Sequence, residues 1–132
     1  MAWTINPSNQ EIAFLMEAGF LYRDLNQYRE ARDVFKGVRA LAPNSEVPEV
    51  ALGTVSFQEG NFALAARHYH RALELNERSA WAYCHLGELA IFQTDLRQAR
   101  SFLRAAIDLD PRGDYGKFAR ALLDFADVVR FQ

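Results

Sequence analysis

Residues 52–75 read LGTVSFQEGNFALAARHYHRALEL. Two apolar-rich runs flank Glu59-Gly60-Asn61, a trio that breaks helical spacing and ends on a residue suited to cap the run that follows. The stretch is therefore a pair of helices joined by a tight turn. Its landmarks recur on both sides. Gly53 is matched by Gly19 and Gly87, Ala65 by Ala31 and Ala99, and Leu75 by Leu41 and Leu109, always at intervals of 34 residues. The turn recurs in register as Leu25-Asn26-Gln27 and Gln93-Thr94-Asp95. A fixed period of this length marks one supersecondary unit used three times. Such a unit cannot bury its apolar face alone, so the copies must stack into a solenoid.

Helix packing explains the residue types. Small residues at Gly19, Ala31 and their copies let the two helices of a hairpin approach closely, while Tyr22, Phe35, Tyr69 and Leu103 fill the space between hairpins. The pattern predicts helices at about 9–25, 28–41, 46–59, 62–75, 80–93 and 96–109, within repeats at about 12–45, 46–79 and 80–113. Ser8 with Glu11, and Asp95 with Gln98, resemble capping boxes, and Pro48 falls in a first helical turn where its missing amide proton costs little. After Pro111 the repeat residues stop, but Phe118, Leu122, Phe125 and Val129 keep helical spacing. A capping helix at about 114–131 is expected to cover the last repeat, with Asp114 as its cap. Its apolar surface is wider than one capping contact needs, since Tyr115, Leu123 and Val128 flank the stripe. Phe118, Leu122, Phe125 and Val129 are thus expected at a homodimer or heterodimer contact.

Composition bounds the function. The 132 residues form one all-α domain, half hydrophobic and 13% aromatic, too apolar for disorder. A formal net charge of −2 draws the molecule to neither nucleic acid nor an anionic membrane. No apolar run reaches the length of a membrane span, the start MAWTINPSNQ lacks the regions of a signal peptide, and one cysteine fits a reducing compartment. A cytoplasmic protein is expected.

No arrangement for catalysis or for a cofactor emerges; there is no GxSxG elbow, no phosphate-binding glycine loop and no framed carboxylate pair. Cys84 and His85 are adjacent in a helix and point about 100° apart, so Cys84 reads as a small semi-buried thiol. His68 and His70, two apart on a helix, do not face each other, and no CxxC accompanies them; they read as solvated surface histidines rather than metal ligands. Arg97, Arg100 and Arg104 form a basic stripe that reads as a wet, ion-paired face, Asp108 lying four residues beyond Arg104.

Each period resembles the tetratricopeptide repeat: an aromatic, Leu-Gly, an aromatic, a later Ala, an aromatic and a closing Pro. The third period places Tyr83, Leu86-Gly87, Ala90, Ala99, Leu103 and Pro111 there. The first places Leu15, Ala18-Gly19, Tyr22, Ala31, Phe35 and Pro43, and the second Glu49, Leu52-Gly53, Ser56, Ala65, Tyr69 and Glu77. Glu49 and Glu77 depart from the aromatic and the proline. The resemblance implies three helical hairpins in a right-handed superhelix, with the first helix of each repeat lining a concave groove. Its inward positions carry Ala13, Met16, Phe20 and Arg23, then Val47, Val50, Thr54 and Phe57, then Trp81, Cys84, Glu88 and Ile91. Members that clamp an acidic chaperone C-terminus use Lys, Arg and Asn there, whereas these positions are mostly apolar. An extended apolar peptide is the expected ligand, held by Met16, Phe20, Arg23, Val50, Thr54, Phe57, Trp81, Cys84, Glu88 and Ile91. NQYREARDVFKGVRALAP, with the 52–75 stretch, is similar to the translocator chaperones of type III secretion, on Tyr28, Ala31, Phe35, Leu52-Gly53, Gln58, Gly60, Phe62, Ala65 and Tyr69. That likeness implies a small cytosolic chaperone that cradles a client segment. A scaffold or adaptor subunit of a larger complex is the other reading.

Overall fold

A computed structural model describes residues 7–129, and within them the chain is helical with no strand. The elements are α1 (Asn9–Asp24), α2 (Tyr28–Leu41), α3 (Val47–Gln58), α4 (Phe62–Leu75), α5 (Ala80–Phe92), α6 (Leu96–Leu109) and α7 (Asp114–Val129). The observed ends agree with the predicted ones to within a residue or two; the last predicted positions of α7, 130 and 131, lie outside the described residues.

Local chemistry sets these ends. Ser8 Oγ accepts from Glu11 N while Glu11 Oε1 accepts from Ser8 N, both at 3.1 Å, a closed capping box. These bonds from Ser8 hold the Glu11 carboxyl below the usual carboxylate range. Asn61, Ser79 and Asp95 cap α4, α5 and α6 through bonds to Leu64 N, Ala82 N and Gln98 N. At α7 the predicted cap is corrected. Asp110, not Asp114, accepts from Tyr115 N (3.2 Å), because Asp114 is already helical and the Pro111–Gly113 turn swings the Asp110 carboxylate back over the helix start. Gly113 has no side chain to obstruct that carboxylate.

The three hairpin turns share one backbone device. Asn26, Gly60 and Thr94, in register, have φ of 61°, 83° and 59°, the left-handed conformation. The next amide in each turn bonds back to Tyr22 O, Ser56 O or Ala90 O. Asn and Gly tolerate this geometry, but threonine is β-branched and is strained by it.

Packing follows the small-against-large rule. Phe35, Tyr69 and Leu103 press their side chains against the bare backbones of Gly19, Gly53 and Gly87. Around these contacts lie three buried clusters, one for each hairpin and its successor. Glu49, standing where an aromatic is usual, is nearly buried, and its carboxylate meets His68 Nδ1 (2.9 Å) and Arg39 Nη1 (3.4 Å). It thereby ties α2, α3 and α4 with polar bonds in place of a ring. His68 is consequently not the solvated histidine its polarity implied.

The stack bends because its two sides differ. The backbones of α1 and α3, α3 and α5, and α5 and α7 approach one another closely, whereas those of α2, α4 and α6 stay apart, α4 and α6 meeting only through side chains such as His70 and Phe102. The first helices therefore line the inner, concave side. α7 joins this row: it packs on α5 and α6 as α5 packs on α3 and α4, burying Gly116, Ala119 and Ala126.

Two substitutions test this account. Gly53→Leu should destabilise the fold by about 1–3 kcal/mol, since the Tyr69 ring occupies the space a side chain needs. Thr94→Gly should stabilise it by about 0.5–1 kcal/mol by releasing the left-handed strain. Urea denaturation followed by circular dichroism measures both.

Candidate functional site: the concave face

Of the ten expected groove residues, six reach the surface: Phe20, Arg23, Phe57, Trp81, Glu88 and Ile91. The other four are corrected to supports beneath it. Val50 and Cys84 have no exposed surface, and Thr54 and Met16 keep 5% and 6%. The cause is that the groove is partly filled by its own rings. Phe20 of α1 and Trp81 of α5 reach toward each other across α3, with centroids 6.3 Å apart. Phe20 also packs on the cluster that holds Met16, and Trp81 on the cluster that holds Val50. Arg23 lies with its Cζ 4.8 Å above the Phe20 ring and donates to Thr54 Oγ1 (3.0 Å), which itself donates to Ala51 O. A second bond from Arg23 to Asp24 compensates part of its charge.

Cys84 is enclosed by α5, α6 and α7. Its Sγ contacts Tyr115 O at 3.5 Å, and burial, with the nearby Glu88 charge, pushes its thiol up to about 12. Such a thiol is inert.

The α7 stripe lies against α5. Phe118 sits 6.4 Å from His85, and Leu122 packs into the cluster around Cys84. Phe125 and Val129 join Ile91 and Phe92 around an apolar cleft of about 250 Å³. All four therefore face α5, on the concave side, so the stripe expected at a dimer contact is a continuation of the groove. The signal was available in the sequence: Tyr115, Phe118, Leu122 and Phe125 follow Trp81, Cys84, Glu88 and Ile91 at the same 34-residue interval. Two further groove residues escaped sequence reasoning. His85 stacks on Tyr69 (5.5 Å, 18°) and meets Glu88 Oε1 at 3.3 Å, and Phe92, 62% exposed, closes an aromatic trio with Phe57 and Phe62.

The resulting face is a band of aromatic and aliphatic surface with Arg23 toward α1 and Glu88 toward α7. Elsewhere, Arg100 Nε donates to Asp127 (3.2 Å), so one member of the basic stripe serves to fasten α7 onto α6. Among the described residues no group of His, Cys, Asp and Glu side chains is placed to hold a metal ion, and no helix is long and apolar enough to cross a membrane.

A helical row lined with apolar side chains and spaced by a 34-residue unit defines a repeat protein built for binding, and sequence comparison names the family. Tetratricopeptide-repeat models match residues 13–45 and 82–112, and a model described as TPR repeat matches residues 53–90. The chain belongs to the tetratricopeptide-repeat family. It is 29% identical over 102 residues to protein bimA of Emericella nidulans, covering 77% of this chain and 13% of that much longer protein. Among solved structures it resembles the first TPR of Spaghetti (RPAP3) bound to the HSP90 peptide SRMEEVD (22% identity, 98% and 100% of the two chains, TM-score 0.75). It also resembles the Yersinia enterocolitica type III secretion chaperone SycD in complex with a peptide of the translocator YopD (18% identity, 93% and 97%, TM-score 0.74).

The folded protein should leave Cys84 unmodified by a thiol reagent at pH 8 and become labelled only as denaturant opens α7. Mass spectrometry along a urea series measures this, and rapid labelling without urea contradicts the enclosure.

Proposed function

We propose that this protein is a non-catalytic binding module that holds an extended apolar peptide on its concave face. The observation that carries the reading is the continuous band from Phe20 through Trp81 to Phe118 and Phe125, which stays partly exposed although the helices beneath it are fully packed. A face of this kind favours a ligand that brings its own apolar side chains and fits between Arg23 and Glu88. Met16, Val50, Thr54 and Cys84 act in this reading as the floor that sets the shape. Two solved relatives of the same fold bind peptides, which supports the class of ligand.

Within that class we favour a cytoplasmic chaperone of type III secretion that covers an apolar client segment, supported by the apolar rather than basic groove and by the likeness to SycD. The adaptor reading draws on bimA, in which the matched segment is a small part of a long chain. In either case α7 presents Phe118, Leu122, Phe125 and Val129 to the client or to a second chain.

Affinity capture from the native host, followed by co-expression of the captured protein, separates the two. A secretion client should be insoluble alone, soluble with this protein, and less so with Phe57→Glu, which puts a charge into the Phe62–Phe92 cluster rim. Recovery of folded cytosolic partners, with solubility independent of this protein, favours the adaptor. For either partner, calorimetry should show Trp81→Ala weakening binding by about 1–3 kcal/mol, and unchanged affinity assigns Trp81 to the core alone.

A further inference from the structure

The seam between α5 and α7 has two ends of opposite character. At its start the rings of Trp81 and Tyr115 lie nearly parallel, 16° apart with centroids at 5.8 Å, along a cleft of about 550 Å³. The carboxylates of Glu46 and Asp110 border the same cleft, and Arg78 is the one basic side chain among its lining residues. Both carboxylates are fixed in place: Asn76 Nδ2 donates to Glu46 Oε1 (3.1 Å) and Tyr115 N to Asp110 Oδ2 (3.2 Å). The phenol of Tyr115 responds to this surrounding charge. It is raised above the usual tyrosine range by burial first, then by Asp114, Asp110, Cys84 and Glu46. A carboxylate pair by itself would simply be solvated; here it borders a cleft lined by the stacked Trp81–Tyr115 pair, an apolar wall along which the stem of a lysine or arginine can lie while its charge meets the carboxylates.

At the other end the lining is Ile91, Phe92, Phe125 and Val129, apolar throughout. Between the two ends Glu88, held by His85, adds one more negative charge. From Trp81 to Ile91 helix α5 rises about 15 Å, a distance that about five residues of extended peptide span.

We propose that the α5–α7 seam selects an extended segment carrying a lysine or arginine for the Trp81–Tyr115 cleft and a large apolar residue about five positions away for the Phe92–Phe125 cleft. This rests on the concave face being a peptide groove, and it adds a charge and a spacing to that reading.

The probes are two capped nonapeptides, acetyl-SKAVSVLAS-amide and its glutamate counterpart acetyl-SEAVSVLAS-amide, titrated by calorimetry at low salt. The lysine peptide should bind about tenfold more tightly, with the difference shrinking as ionic strength rises. Glu46→Gln, which keeps the hydrogen bond from Asn76, should narrow the difference, and Tyr115→Leu should weaken the lysine peptide more than the glutamate one. Thermal melts confirm that each variant is folded. Equal binding of the two peptides, or tighter binding of the glutamate form, overturns the charge selection while leaving the groove in place. Absence of binding by both overturns the groove reading and the selection with it.

Discussion

The close approach of a bare backbone to a large side chain is the constraint on which this fold depends. Within each hairpin the first helix offers a glycine and the second drives a large side chain against it: Phe35 on Gly19, Tyr69 on Gly53, Leu103 on Gly87. A methyl group at any of these glycines would force the helices apart, so the interhelical distance is set by covalent structure rather than adjusted by rotamers. The same large side chains also support the rings of the inner face: Phe35 packs on Phe20 of its own hairpin, and Tyr69 stacks on His85 of the next repeat. The contact that closes one hairpin thus also shapes the concave face.

Because of this coupling, much of the architecture was legible in the sequence. Small residues repeating at Gly19, Gly53 and Gly87 report a geometric necessity, and the left-handed turn positions at Asn26, Gly60 and Thr94 report another. What escaped was of a different kind. Periodicity tells which side of a helix a residue occupies, but not whether a neighbour lies over it. Val50 and Thr54 were placed on the correct side of α3, yet Phe20 and Trp81 arrive from α1 and α5, far away in sequence, and leave them almost no surface. His68 was misjudged for a related reason. Its partner Glu49 looked like a mere departure from the repeat pattern, and only the packing of α3 against α4 shows that the departure and the histidine form one bond.

The end of α6 illustrates how local signals can mislead about larger order. Pro111 and Gly113 announce a stop, and the landmark glycine and aromatic residues do fail after them. The spacing itself does not fail. α7 enters at the place that a fourth first helix would hold, and Gly116 lets it settle against the backbone of Asp110. Its apolar stripe is wide because it has two duties. Ala119, Leu123 and Ala126 pack toward the hairpin, while Phe118, Leu122 and Phe125 prolong the inner face.

This arrangement gives the two halves of the groove unequal characters. Between α1 and α5 the inner face is spanned by Phe20 and Trp81, and Arg23 is occupied by Thr54, Asp24 and the Phe20 ring, so most bonding capacity there is already used within the chain. Along α5 and α7 the rings of Phe92, Phe118 and Phe125 remain 62%, 41% and 53% exposed, and two clefts open at either end. Desolvating apolar surface that is already exposed stabilises a complex, whereas displacing internal contacts costs what those contacts gave. In the proposed binding mode a ligand gains most along α7, the helix that the repeat motif leaves out, and the first repeat serves chiefly to hold that surface at its curvature.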